Sequence, residues 1–361
     1  MFEFNSNRRN RATLVLSFRS IAALLLGVTV SSSIAIGQSD PITLSNVDKL
    51  GLLSETKLGA RYIENGPKKN ELLLYLRQGV VIVDDEHFKE TRSIPAEQAD
   101  GYRFSQDLSL SSWLNGKEVF IRNESTGETI QFTGGENPMP AIFSPSNKMV
   151  VVGDMIVTGS EGQGSAWLRI FDVATGKELR KINITKSGYG ALQPVFSPDG
   201  NVLAVGNRNY ETKLFDTKSW DLLHTLPKRM TQEVSFSPDG AVLAAAYVDG
   251  ALGLWDVATG KQIKLITSGC AKLLSVAWNP AGDLLATCGP TGARSGPNSE
   301  RISLPGKVAL WNAKTLEPVK ELMTVQWSGS VRFTSDGARL LAAVTKRISQ
   351  VSTRALTSTG K

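Results

Sequence analysis

Glu233-Val234-Ser235-Phe236 alternates polar and apolar residues with the period of a half-buried strand. A break at Pro238-Asp239-Gly240 follows, and then the apolar run Val242-Leu243-Ala244-Ala245-Ala246, which suits a strand covered on both faces. Proline pre-sets φ for a turn, aspartate bonds nearby backbone and glycine accepts positive φ, so the two runs are expected to form a hairpin. Leu252-Gly253-Leu254-Trp255-Asp256 reads as a third strand, and Ala258-Thr259-Gly260-Lys261 turns the chain into a fourth, Gln262-Ile263-Lys264-Leu265. Four short strands make a twisted sheet with two apolar faces. Such a sheet must pack against similar sheets on both sides.

The chain repeats this unit. Phe196-Ser197-Pro198-Asp199-Gly200 recurs as Phe236-Ser237-Pro238-Asp239-Gly240. Weaker copies are Trp278-Asn279-Pro280-Ala281-Gly282, Phe333-Thr334-Ser335-Asp336-Gly337, Phe143-Ser144-Pro145-Ser146-Asn147 and Phe104-Ser105-Gln106-Asp107-Leu108. Tyr62-Ile63-Glu64-Asn65-Gly66 aligns as the faintest. Their fourth positions, at 65, 107, 146, 199, 239, 281 and 336, are separated by 42, 39, 53, 40, 42 and 55 residues. A period near 40 residues fits one four-stranded blade. The third-strand motif recurs at Leu168–Asp172, Thr212–Asp216, Leu252–Asp256 and Val308–Asn312, with Val119–Asn123 as an earlier relative. The two long spacings therefore place their extra residues between the second and third strands.

The Phe-Ser-Pro-Asp-Gly and Trp-Asp-Val-Ala-Thr-Gly-Lys copies resemble bacterial members of the WD-repeat family over roughly residues 42 to 361. The resemblance implies a β-propeller used as a rigid, non-catalytic platform for proteins or peptides, its ring closed by an N-terminal strand. The expected fold is all-β: seven four-stranded antiparallel blades at about 57–95, 98–133, 137–185, 188–227, 230–268, 270–323 and 326–361. The last unit is one strand short, and residues 50–56 supply a spare strand to close it. The Gly-His dipeptide of many WD repeats is missing, because the chain has only His87 and His224. The family's buried Asp-His-Ser/Thr-Trp network is therefore not expected.

Composition adds little to this picture except at the N-terminus. Arg8, Arg9, Arg11 and Arg19 precede an uncharged run from Ile21 to Gly37 that ends in Ala35-Ile36-Gly37. These are the features of a cleavable secretory signal over residues 1–37. The alternative is an uncleaved anchor, although the run is shorter than the roughly 20 residues of a spanning helix. The mature chain is thus expected to be periplasmic or extracellular, with no membrane span, as a monomeric propeller domain over 38–361. Removing those four arginines and Glu3 reduces the net charge from +6 to 6 − 4 + 1 = +3. With no basic run interleaved with aromatics, nucleic acid is not an expected partner.

Candidate chemistry is sparse. The Asp-x-x-Thr-Gly-Lys segments at Asp172 and Asp256 are shared with exported pyrroloquinoline-quinone propeller enzymes, but the docking Trp of that family is missing after both. A quinone- or metal-dependent propeller enzyme stands as the alternative function. His87 and His224 are expected away from the channel, and no Gly-x-Ser-x-Gly elbow or Walker loop occurs. No catalytic residue, cofactor or metal ligand is assigned. Cys270 and Cys288, the only cysteines, are candidates for a disulfide in an oxidising compartment.

The insertions carry the functional expectation. Gly153–Ala166, with 9 extra residues, and Gly289–Gly306, with 14, both join second to third strands and so leave the same face. Loops mounted on a rigid sheet commonly carry recognition residues. Arg294, Asn298, Glu300 and Arg301 on the second insertion, with Arg208, Tyr210 and Tyr247 near the same face, are the candidate contacts for a protein or peptide partner.

Overall fold

A computed structural model describes residues 41–47, 51–56, 62–66, 68, 70–76, 79–85, 87–95, 101–157, 164–185, 193–206, 211–227, 229–295, 301–303, 306–325, 328–344 and 347–352. The expected signal at 1–37 lies outside these. Among the described residues every regular element longer than a turn is a strand. The N-terminal strand β1 spans Gly51–Thr56. A first sheet follows, with β2 (Tyr62–Asn65), β3 (Glu71–Tyr75), β4 (Gly79–Asp84) and β5 (Glu90–Pro95). The next holds β6 (Arg103–Phe104), β7 (Leu110–Asn115), β8 (Glu118–Asn123) and β9 (Thr129–Thr133). After it come β10 (Ile142–Phe143), β11 (Met149–Val157), β12 (Gly164–Asp172) and β13 (Glu178–Thr185). The fourth sheet has β14 (Gln193–Phe196), β15 (Val202–Gly206), β16 (Thr212–Asp216) and β17 (Leu222–Leu226). The fifth has β18 (Thr231–Phe236), β19 (Val242–Tyr247), β20 (Ala251–Asp256) and β21 (Gln262–Thr267).

The sixth sheet is interrupted. Between β22 (Ser275–Trp278), β23 (Leu284–Pro290), β26 (Gly306–Asn312) and β27 (Pro318–Val325), the chain inserts a separate two-stranded ribbon of β24 (Ala293–Ser295) and β25 (Arg301–Ser303). Six blades are thus each drawn from one stretch of chain, one fewer than the seven repeats aligned in the sequence. The remaining four-stranded sheet is composite: β28 (Ser328–Phe333), β29 (Arg339–Val344) and β30 (Arg347–Ser352) are completed by β1, in the order β1-β30-β29-β28. The last repeat has no fourth strand of its own, and antiparallel pairing such as Glu55 with Ser349 satisfies the edge of β30.

Core side chains lie between sheets. Val234, Phe236, Leu243 and Tyr247 of the fifth sheet pack against Ala204 and Leu214 of the fourth. Leu341 and Ala343 of the composite sheet pack against Ile63, Leu72 and Leu74 of the first. Asp85, next to β4, pairs with Arg339 of β29 at 2.8 Å across that same junction. The third-strand aromatics Phe171, Phe215, Trp255 and Trp311 are all buried, each contributing roughly 1.5–3 kcal/mol.

The turn motif explains itself in atomic terms. In the fourth sheet Ser197 Oγ donates to Asp199 Oδ1 and accepts from Val202 N–H at 2.9 Å, while Gly200 adopts φ +74°. Ser237 and Asp239 repeat this arrangement. In the degenerate copies Asn147 and Leu108 hold the same left-handed conformation, at φ +56° and +58°. The first copy is displaced from its expected register. Asn65 stands opposite Leu72 as Phe236 stands opposite Leu243, and Gly66 N–H bonds Glu71 O as Ser237 N–H bonds Val242 O. The true equivalent is Asn65-Gly66-Pro67-Lys68-Lys69, three residues further on. Its fourth position, 68, lies 107 − 68 = 39 residues before the next.

Candidate functional site

The inner strands converge on a cavity of about 730 Å³. Glu64 of β2, Arg103 of β6, Ile142 and Phe143 of β10, Val195 and Phe196 of β14, and Glu233 and Ser235 of β18 all line it, with Leu274 before β22 and Gly329 of β28. Six sheets therefore contribute, together with the residue that leads into β22. One wall is charged. Arg103 Nε lies 4.0 Å from Glu64 Oε1, its guanidinium sits 5.0 Å from the Tyr75 ring centroid, and Tyr75 Oη donates to Glu64 Oε2 at 2.7 Å. On a neighbouring wall Glu233 accepts from Arg332 Nη2 at 2.6 Å and from Val276 N–H at 2.9 Å. The wall from β10 and β14 is apolar, with Met139, Pro140, Pro194 and the four residues named above.

Both carboxylates are tied to arginines, and the cavity residues include no histidine or cysteine. His224 lies in β17, the outermost strand of its sheet, with Nε2 2.9 Å from Ala258 O. His87 lies just beyond β4, where its backbone N–H bonds Asp84 at 2.6 Å. Among the described residues no group of three or more His, Cys, Asp or Glu is placed to hold a metal. The Asp-x-x-Thr-Gly-Lys segments are turns: Asp256 Oδ1 accepts from the Thr259 N–H at 2.7 Å and hydroxyl at 2.6 Å, as Asp172 Oδ1 does from Thr175.

Of the residues expected at a partner surface, Tyr247 is a correction. It is 1% exposed, and its hydroxyl accepts from Trp255 Nε1 at 2.9 Å. Burial pushes the phenol up to about 12, against the smaller opposing effect of the Trp255 bond. Tyr247 ends β19, where the side-chain alternation turns it into the core between two sheets rather than toward the rim. Together with Trp311 Nε1 donating to Thr287 Oγ1 at 2.8 Å, the pair anchors two third-strand tryptophans without any histidine. Arg294 and Arg301 fall on the β24–β25 ribbon, where Arg294 pairs with Ile302 and Ser295 with Arg301. Arg208, Tyr210, Asn298 and Glu300 lie outside the described residues.

The first insertion is mostly strand, not loop. β11 and β12 run nine residues each and stay paired to Val157 and Gly164. Buried Asp154 accepts from Asn137 N–H at 3.0 Å, which straps the extension to the segment before β10. No disulfide joins Cys270 to Cys288. Cys288 packs in the core facing the composite sheet, whereas Cys270 lies in the core shared with the fifth sheet and its thiol points to Gly289 O at 3.6 Å. The two side chains thus pack in different cores.

The cavity was not anticipated from the sequence. Its lining includes the residues just before the turn-motif aromatic, Arg103, Ile142, Val195 and Ser235, and that offset was the available signal.

Comparison with known proteins bears on the repeats. Over 131 residues the chain is 28% identical to WD repeat-containing protein VIP3 of Arabidopsis thaliana, covering 32% of this chain and 40% of that protein. Over 156 residues it is 28% identical to small ribosomal subunit protein RACK1 of Caenorhabditis elegans, 40% of this chain and 44% of the relative. These matches support a WD40-type family for the chain, and its four-stranded antiparallel sheets are β-propeller blades. A match to Protein tipD of Dictyostelium discoideum, 21% over 151 residues, covers 39% of this chain and 25% of that protein. The matched stretches thus span a quarter to under half of the relatives' lengths. The family model of eukaryotic translation initiation factor eIF2A matches residues 171–294 of the propeller, from the end of β12 into β24.

Proposed function

We propose that this WD-repeat propeller is an exported, non-catalytic scaffold that binds a protein or peptide partner through the projections between its second and third strands. The observation that carries the reading is the β24–β25 ribbon, an ordered element inserted into a blade whose own four strands remain paired without it. The lengthened β11–β12 hairpin joins equivalent strands of another blade. In antiparallel four-stranded blades all second-to-third connections leave one face, so the two projections flank a common surface. We count the composite sheet as the seventh blade and the β1–β30 pairing as closure of the ring, supported by the packing of the composite sheet on both the sixth and the first sheets. A rigid closed ring is what lets loop contacts be held without an ordering cost.

Pull-down from the exported fraction of the native host, with wild-type protein and a form in which 291–305 is replaced by a short Gly-Ser link, tests this. The expected result is a reproducible partner held by the wild type and lost from the ribbon-deleted form, with the melting temperature unchanged. Recovery of the protein only from the cytoplasm would overturn export. The same partners on both forms, or none on either, would overturn the assigned surface.

A further inference from the structure

Every exposed large hydrophobic residue among those described lies on the outermost strand of three consecutive blades: Leu179 on β13, Leu222 and Leu223 on β17, and Ile263 on β21. Three of them occupy one structural position. Phe171 pairs with Glu178 and Ile170 with Arg180, so Leu179 is the extra residue of a bulge. Leu223 is skipped in the same way between the partners of Phe215 and Leu214, and Ile263 between those of Trp255 and Leu254. A bulge re-aims a side chain. Here it turns an aliphatic group outward three times, at 46%, 42% and 50% exposure.

The three positions lie on adjoining blades. Ile182 of β13 and Trp220 before β17 share a core, and His224, next to Leu223, reaches the Ala258–Lys261 turn that leads into Ile263. The exposed charges on these strands and turns are almost all positive: Lys177, Arg180, Lys181, Lys218, Lys261 and Lys264, against Asp221 alone. The nearby acids are occupied, Glu178 by Arg169 and Asp172 and Asp256 by their own turns. An outer strand also presents one unpaired backbone edge.

We propose that this rim is a second interaction surface, whose occupant is an acidic polypeptide segment carrying aliphatic side chains at alternate positions, laid along the exposed edges of β13, β17 and β21. Positive charge supplies the complementarity, the bulge residues the apolar anchors, and the backbone edge the direction of approach. It involves strands other than those that frame the inserted ribbon, so it stands or falls separately from the proposed function.

The test uses the full chain and a synthetic peptide of alternating leucine and glutamate, with a leucine–lysine peptide and vesicles of mixed phosphatidylserine and phosphatidylcholine as comparators. Wild type should bind the acidic peptide with hydrogen-exchange protection confined to β13, β17 and β21. A Leu179→Ser, Leu223→Ser, Ile263→Ser variant and a Lys181→Glu, Lys264→Glu variant should each weaken binding at least tenfold while melting within a few degrees of wild type. The proposal fails if the acidic peptide does not bind, if the variants bind it equally, if the basic peptide binds as well, or if vesicles take up the protein in preference.

Discussion

Tyr247 and Trp255 show how a single hydrogen bond can stand in for a network. The two side chains are 1% and 3% exposed, and the indole N–H donates to the phenol oxygen at 2.9 Å. Removing the acceptor leaves a buried donor unpaired, at a cost of roughly 1–3 kcal/mol. Tyr247→Phe is therefore expected to lower stability by about that amount in urea unfolding, with the slope unchanged, and to leave partner binding intact. A stability-neutral variant with weakened binding would return Tyr247 to the recognition surface. The aromatic was visible in the sequence, but its direction was not, because a strand's end residue can face rim or core depending on the neighbouring sheet.

At the scale of the element, the turn motif was the most legible feature of the chain, since Pro, Asp and Gly each serve a local backbone need. Its aspartates also predict a pH response. Partial burial raises the Asp107 carboxyl, but bonds from Ser109 N–H and from the Asn147, Ser105 and Ser109 side chains outweigh it and bring the group down to about 2. Asp199 and Asp239 are lowered chiefly by the Ser197 and Ser237 hydroxyls. A carboxyl lower in the folded than in the unfolded chain binds its proton more readily after unfolding. Its contribution is complete above the unfolded value of about 3.9 and is lost as pH falls toward the folded value. The melting temperature should hold steady from pH 7 to about 5 and drop between about pH 4 and 2. Asp107→Asn and Asp239→Asn together should flatten that drop; an unchanged slope in a thermal-melt series would show that these turns do not govern acid sensitivity.

For the whole molecule, the decisive contacts join the ends of the chain. β1 completes the sheet of β28–β30, and Ile42 and Val47, both buried, enter the core between that sheet and the sixth. Asn279 Nδ2 donates to Ile42 O and Leu44 N–H to Asp283, so the segment is held by backbone as well as side chains. A chain beginning at residue 57 loses these and exposes the edge of β30. Calorimetry and light scattering should show a loss of at least about 3 kcal/mol, from the two buried side chains alone, and self-association through the open edge. Equal melting of the truncated and longer chains would rule out this closure.

The sequence by itself determined the blade: its period, its hairpin turn and its third-strand aromatic, because each depends on residues within about 40 positions of one another. The tertiary structure alone decided which side chains meet. It set the first copy three residues along, where Asn65-Gly66-Pro67 has lost its aromatic and only the pairing with β3 reveals the turn. It placed Cys270 and Cys288 in different cores. It assembled the cavity from blades far apart in the chain, and the apolar, basic rim from three consecutive ones. Hydrophobic periodicity reports how one strand meets its own sheet, and carries no record of what the next sheet brings to it.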